Sequence, residues 1–257
     1  MSWLHAIVLG AVEGLTEFLP VSSTGHLILA SELLRVPQTE FLKSFEIAVQ
    51  LGAILAVLAV SWKRLLLDRK IFLRVAAAFI PTAVLGLLLY KTVKTHLLGN
   101  ASVVVWALVI GGAALIAFEK LFKAPASPKS DLSAMTYKDA VTIGLAQSVA
   151  MIPGVSRSAA TILGGMGLGW SRAAIVEFSF LLAIPTMAAA TGLDLLKSGF
   201  AFSASEVGML ALGAAVAFAV AYASVKWFLG YVRSNDFVVF GVYRIVAGLA
   251  FWFFILR

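Results

Sequence analysis

The sequence predicts an all-α integral membrane protein, with six transmembrane helices plus two re-entrant helical hairpins in an inverted-topology repeat. Three observations predict it. First, apolar types make up 61% of the 257 residues and charged types only 13%, with a mean hydropathy of +0.99. A soluble domain carries roughly 25% charge and could not hide so much apolar surface. Disorder is excluded for the opposite reason, since it requires few apolar residues and many charges. Second, six runs are long and apolar enough to cross a bilayer. Third, one apolar region near the start of each half is broken by proline, glycine and hydroxyl residues.

Residues 2–35 form the first broken region, interrupted at Pro20-Val21-Ser22-Ser23-Thr24-Gly25. Each side of the break is too short to span at about 1.5 Å per residue. The chain is therefore expected to dip in and return to the same side. The alternative is two helices packed elsewhere in an ordinary bundle. Met1-Ser2-Trp3-Leu4-His5 has no basic n-region, and Glu13 and Glu17 interrupt what would be the apolar core of a signal peptide. The segment is therefore expected to remain in the mature protein. Spans follow at about 43–62, 72–90 and 101–122, each near the roughly 20 residues a crossing needs.

The stretch 123–136, rich in Lys, Pro, Ser and Asp, reads as a cytoplasmic linker between a first repeat, 1–122, and a second, 137–257. The second hairpin, 137–170, breaks at Pro153-Gly154-Val155-Ser156-Arg157-Ser158, and spans at 173–196, 205–227 and 237–256 complete the chain. A shift of 134 residues lays Gly10 on Gly144, Glu13 on Gln147, Ser22 on Ser156, Ser23 on Arg157 and Thr24 on Ser158. Three crossings in the first half would invert the second. Broken helices in such repeats usually meet near the midplane, where non-helical backbone must face protein or a watery cavity.

Loop charges set the expected orientation. Lys63, Arg64, Arg69, Lys70 and Arg74 crowd one connection, Lys120, Lys123, Lys129 and Lys138 the next but one, and Lys226 and Arg233 the last. The intervening connections hold only Lys91 and Lys94, then Lys197. By the positive-inside rule the first set is cytoplasmic, both termini lie outside, and the first hairpin enters from outside. Trp62, Trp170 and Trp227 fall at the inner boundary, as an aromatic belt would. The net charge of +7 thus reports topology, and no nucleic-acid partner is expected.

Without cysteine, disulfides, thiolate metal sites and cysteine nucleophiles are excluded, and His5, His26 and His96 are too scattered for a histidine-rich zinc site. Glu13 and Glu17 are four apart and share one helix face, in a stretch where residues 1–12 and 18–31 carry no other Asp, Glu, Lys or Arg. Two carboxylates at membrane depth need a shared proton, an arginine or a divalent cation. Pro20 ends their helix, and Ser22, Ser23 and Thr24 supply hydroxyls suited to capping the return helix, whose free N–H groups favour an anion. His26 stands in its first turn. Arg157 is the only charge between Asp139 and Arg172; its planar fork suits phosphate oxygens, with Ser156, Ser158 and Thr161 as further donors. The bland reading is a permanent bridge from Arg157 to Glu13 or Glu17. Two acids, a hydroxyl cluster, a histidine and an arginine suit holding and cleaving a metal-bound phosphate.

Two other patterns lead elsewhere. Gly165-Met166-Gly167-Leu168-Gly169 lacks a preceding strand and reads as close helix packing. Glu46, Glu177 and Asp194, at or near span ends, could serve the site or cap the interface.

The stretches Glu13-Gly14-Leu15-Thr16-Glu17-Phe18-Leu19-Pro20-Val21-Ser22-Ser23-Thr24-Gly25-His26 and Pro153-Gly154-Val155-Ser156-Arg157-Ser158-Ala159-Ala160-Thr161 resemble those of the undecaprenyl-diphosphate phosphatases, also called bacitracin-resistance proteins. Phe45-Glu46-Ile47-Ala48-Val49-Gln50-Leu51-Gly52 and Glu177-Phe178-Ser179-Phe180-Leu181-Leu182-Ala183 support the resemblance, which covers essentially the whole chain. It implies a multi-pass enzyme of the bacterial inner membrane that opens to the periplasm. Such an enzyme converts undecaprenyl diphosphate to undecaprenyl phosphate and phosphate, recycling the carrier for cell-wall synthesis. It also implies a divalent cation, Mg²⁺ or Ca²⁺, and functional roles for Glu13, Glu17, Ser23, His26 and Arg157, with Ser22, Thr24, Ser156 and Ser158 beside them.

On this reading Glu13 and Glu17 hold the metal. Arg157, Ser22, Thr24, Ser156, Ser158 and Thr161 bind the diphosphate, and Ser23 attacks with Glu17 or His26 as base; an activated water would need the same residues. The lipid tail is expected in an apolar groove between spans. The rival is a polyprenyl-phosphate transporter using the same midplane site. A homodimer is compatible with these residues.

Overall fold

Polar caps set the starts of the helices. In the computed structural model Ser2 opens the first one through a capping box with His5. The structure describes residues 1–97, 100–122, 125–198 and 202–256. Lys123 and the start of the linker fall outside the described residues, as do the side chains of Lys94, Asp194 and Lys197. The described residues form ten α-helices: α1 (Trp3–Thr16), α2 (Ser23–Leu33), α3 (Glu40–Leu67), α4 (Arg69–His96), α5 (Ala101–Leu121), α6 (Tyr137–Ser148), α7 (Arg157–Gly167), α8 (Arg172–Ser198), α9 (Ala204–Tyr231) and α10 (Val238–Phe251). Thr39, Asp68, Asn100, Thr136 and Ser203 cap α3, α4, α5, α6 and α9 through their side chains. The bond from the Ile71 N–H and the Ser133 hydroxyl holds the Asp68 carboxyl below its ordinary range.

Five helices, α3, α4, α5, α8 and α9, are long and apolar enough to cross a membrane. The sixth expected span differs. The 14-residue α10 is short, and a π-helical turn, Trp252–Leu256, extends it. Both broken regions appear as pairs of short helices, α1 with α2 and α6 with α7, of 11 to 14 residues each.

Polar ties gather one set of helix ends. Arg64 pairs with Glu177 at 2.8 Å, Ser133 donates to Asp68 at 2.9 Å, and Arg74 donates to the Met135 carbonyl at 2.6 Å. Arg172 pairs with the buried Glu119, which also accepts from the Phe237 N–H. The α6–α7 hairpin begins and finishes at this end, because the Trp170 Nε1–H donates to Asp139 at 3.2 Å. Trp170 is therefore buried and does not join a lipid-facing aromatic belt, whereas Trp62 and Trp227 stay exposed. At the opposite end a separate apolar cluster joins Ala6, Leu9, Val36, Leu42, Phe45 and Met209, so α1–α2 opens there. The two hairpins thus enter from opposite ends and meet in the middle.

Each hairpin packs on a long helix of the other half: α1 on α9, and α6 on α4. The approach is close. A Cβ at Gly10 would lie 2.5 Å from the Gly213 carbonyl oxygen, and one at Gly144 would lie 2.0 Å from that of Ala78. In the Gly165–Gly169 run only Gly165 packs tightly, against Ile175; Gly167 meets nothing, and Gly169 takes a positive φ of 85°.

Candidate active site

At the meeting point of the hairpins a cavity of about 250 Å³ is lined by Glu17, Ser22, Ser23, Thr24, Ser156 and Arg157, with Gln50, Pro153, Gly154, Thr186 and Met187. Both breaks turn in the same way. Ser22 and Ser156, the residues just before α2 and α7, adopt φ values of 74° and 76°. For a residue with a Cβ this backbone is strained and persists only where the surroundings impose it.

Glu17 is the hub. Its Oε2 accepts a hydrogen bond from the Ser23 hydroxyl, and its Oε1 pairs with Arg157 Nη2 at 3.0 Å. Arg157 reaches across from the second hairpin, over the ring of Phe18, and its Nη1 donates to the Ser179 carbonyl at 2.9 Å. The bridge between Arg157 and Glu17 weighed from sequence is therefore formed here, and it leaves the Arg157 Nε–H buried without a partner. Ser23 is the one hydroxyl in the cluster that rests on a carboxylate.

One turn before Glu17, Glu13 is fully buried, and neither of its oxygens has a hydrogen-bond partner. It lies within electrostatic reach of Glu17, Glu46 and Arg157. An orphaned carboxylate in an apolar interior requires a cation or a proton. Its oxygens and those of Glu17 are hard donors of the kind Mg²⁺ and Ca²⁺ select, so the residues suit such an ion. No group of three acidic or histidine ligands occurs among the described residues, so any ion here would keep water or substrate oxygens.

Several expected site residues are used differently. The Ser22 side chain does not cap α2, which leaves the first N–H groups of that helix beside the cavity. Ser156 caps α7 through the Ala159 N–H at 3.2 Å. Ser158 and Thr161 do not line the cavity. Both are fully buried, Ser158 donating to the Phe18 carbonyl at 2.9 Å and Thr161 to that of Arg157 at 2.8 Å. In an apolar interior a hydroxyl is drawn to the nearest unpaired carbonyl.

His26 also stands outside the lining. Its Nδ1 bonds the Ser22 carbonyl at 2.8 Å and its Nε2 the Tyr243 hydroxyl at 2.7 Å. A carbonyl only accepts, so the proton sits on Nδ1, and in the neutral ring Nε2 accepts from Tyr243. With both nitrogens engaged, His26 supports the Ser22 turn, and Glu17 is the carboxylate in contact with Ser23. Glu177 is paired with Arg64 away from the cavity, and Glu46 does not line it.

Thr186, Met187 and Tyr243 carry no signal of their own in the sequence, and Gln50 stands there only within a supporting stretch. They lie inside the apolar helices α3, α8 and α10, and only packing brings them to the site. Next to the polar cavity runs an apolar groove of about 500 Å³ between α4 and α8, lined by Phe79, Ala83, Gly86, Leu87, Met151 and Leu193. The two spaces share Thr186 and Ala190.

Comparison with known proteins places the chain in a family. A model of the family described as bacitracin resistance protein BacA matches residues 6–250. A protein of Aquifex aeolicus named undecaprenyl-diphosphatase is 49% identical over 256 residues, covering all of both chains. Proteins of the same name from Wolinella succinogenes and Bdellovibrio bacteriovorus are 51% and 49% identical, covering 99% and 97% of this chain and 99% and 94% of their own.

Proposed function

The chain belongs to the BacA bacitracin-resistance family, and from that premise we propose that it hydrolyses undecaprenyl diphosphate to undecaprenyl phosphate and phosphate. The observation that carries the reading is the Ser23–Glu17–Arg157 chain at the cavity wall. A serine hydroxyl resting on a carboxylate is a nucleophile with its base in place.

The diphosphate enters the cavity, where Arg157, the hydroxyls of Ser22 and Thr24 and the free N–H groups of α2 bind its oxygens. As Arg157 turns to phosphate, Glu17 is left to take the Ser23 proton. Ser23 Oγ forms a bond to the terminal phosphorus while the bridging P–O bond breaks. Glu17 passes its proton to the departing polyprenyl phosphate. Water then attacks the phosphoserine phosphorus and gives its proton to Glu17, which passes it to Ser23 Oγ as the Oγ–P bond breaks and phosphate leaves. A divalent cation held by Glu13 and Glu17 would neutralise charge on the diphosphate. The groove between α4 and α8 takes the part of the polyprenyl tail nearest the head group.

The site faces the periplasm of the inner membrane in this reading, within an inverted repeat of 1–122 and 137–257 about the linker 123–136. A polyprenyl-phosphate carrier is not favoured, since the relatives are named for hydrolysis.

Purified protein in detergent, with no second compartment, is expected to release phosphate from undecaprenyl diphosphate and to stop in a chelator. Absence of release overturns the function, and full activity in chelator overturns the metal role. Cysteine at Thr24, in a chain with no other, should react with an impermeant thiol reagent in intact spheroplasts. Labelling only after lysis places the site on the cytoplasmic side.

A further inference from the structure

Among the described residues Arg244 is the largest fully buried side chain, at 0% exposure, on the apolar helix α10. None of the ion pairs among the described residues includes it. It donates instead to five backbone carbonyls: Nη1 to Pro20 at 3.2 Å and Val155 at 2.9 Å, Nη2 to Gly154 and Ala107 at 2.9 Å each, and Nε to Leu108 at 3.4 Å. Pro20 belongs to the first break, Gly154 and Val155 to the second, and Ala107 and Leu108 to α5. Carbonyls at a helix break have no intrahelical partner, and at membrane depth there is no bulk water to supply one. One guanidinium supplies three of them from both breaks at once.

A second observation shows that the fold makes room for this. A Cβ at Gly111 on α5 would lie 2.1 Å from Arg244 Nη2 and 2.8 Å from its Cζ. Arginine held by five bonds cannot yield without giving up some of them. Only a bare backbone at position 111 lets the guanidinium reach the breaks.

We infer that Arg244 is a positioning residue, a buried fork that sets the distance between the two breaks and so the register of Ser23 and Glu17 against Arg157. Pro20 lies between Glu17 and Ser23, and Val155 lies two residues before Arg157, so a shift of either carbonyl moves the reacting groups. Arg244 does not line the cavity and touches no substrate. The inference rests on the proposed phosphatase reading for its catalytic consequence, while its structural part stands apart from it. Lysine is no substitute, because one ammonium cannot span carbonyls on three elements.

The test uses Arg244→Lys and Gly111→Ala in purified full-length protein. Turnover of undecaprenyl diphosphate is read with the distance between spin labels on cysteines at Leu15 and Ile152, exposed positions beside the first and second breaks. Both variants should keep KM within about twofold and lose about 100-fold in kcat, the size of effect that misplacement by about 1 Å produces. The label-pair distance should shift or broaden relative to the labelled parent. If kcat holds within about twofold, or falls with an unchanged distance, the inference is wrong. If neither variant folds, Arg244 is only a folding requirement and the inference is equally overturned. A parent that releases no phosphate sinks the enzymatic reading, yet the label distances still report whether Arg244 sets the spacing.

Discussion

The hairpins α1–α2 and α6–α7 share a backbone and divide the chemistry. Each has a seryl residue at positive φ before its second helix, Ser22 and Ser156, and each presses a glycine, Gly10 and Gly144, onto the backbone of a long helix. Their side chains then part. Where the first hairpin has Glu13, unpartnered and buried, the second has Gln147, whose amide donates to Thr82 at 2.8 Å and Thr186 at 3.2 Å. Where the first has Ser23, the second has Arg157. One break therefore offers acids and a hydroxyl, the other a cation. The difference teaches that backbone geometry brings the breaks together, while the side chains decide which becomes reactive.

The largest expected effect tests that division. Ser23→Ala should lose on the order of 10³-fold or more in kcat with the fold intact, because it removes the hydroxyl that meets Glu17. Phosphoserine trapped from wild-type protein would confirm the step. Retention of more than roughly a tenth of the rate would transfer attack to water.

The next pair exchanges the environments of the acid and the amide. Gln147→Glu replaces a donating amide with a carboxylate facing two hydroxyls whose own protons already go to the Gly144 and Leu182 carbonyls, and should destabilise the protein by about 1–3 kcal/mol in thermal unfolding. Glu13→Gln should fold at least as well as wild type and need more metal for activity. Equal stability of Gln147→Glu and wild type would show that the two pockets do not differ in their tolerance of charge.

Gly10→Ala and Gly144→Ala sharpen the likeness in the same way. Each new methyl would meet a carbonyl oxygen, so each should destabilise by about 1–3 kcal/mol. Gly144→Ala should be the worse, since its contact would be 2.0 Å against 2.5 Å. The smallest effect concerns Ser158. Ser158→Ala should lower stability by about 1 kcal/mol through its bond to Phe18 and leave KM unchanged. A several-fold rise in KM would return this hydroxyl to the substrate.

Arg157 was legible in the sequence because a lone charge in an apolar run is a local signal that needs no neighbour to interpret. Arg244 carries the same signal, the only charge from Phe237 to Leu256, yet it lies inside a run read as a plain span, and only the structure shows what it holds. The hydroxyls were harder to read. Ser158 and Thr161 look like phosphate ligands by their place in the motif, yet one serves a carbonyl 140 residues away and the other the preceding turn of its own helix.

By itself the sequence determined the membrane class, the long spans, the two breaks and the acid pair. Apolar run length, proline and charge act locally, over a turn or a span. Only the tertiary structure decided that α1 packs on α9 and α6 on α4, that Tyr243 occupies His26, and that Trp170 turns inward to Asp139. Those outcomes depend on which donor lies within about 3 Å of which acceptor. In an apolar interior nearly every polar group must find such a partner, and the partners here are often more than 100 residues apart.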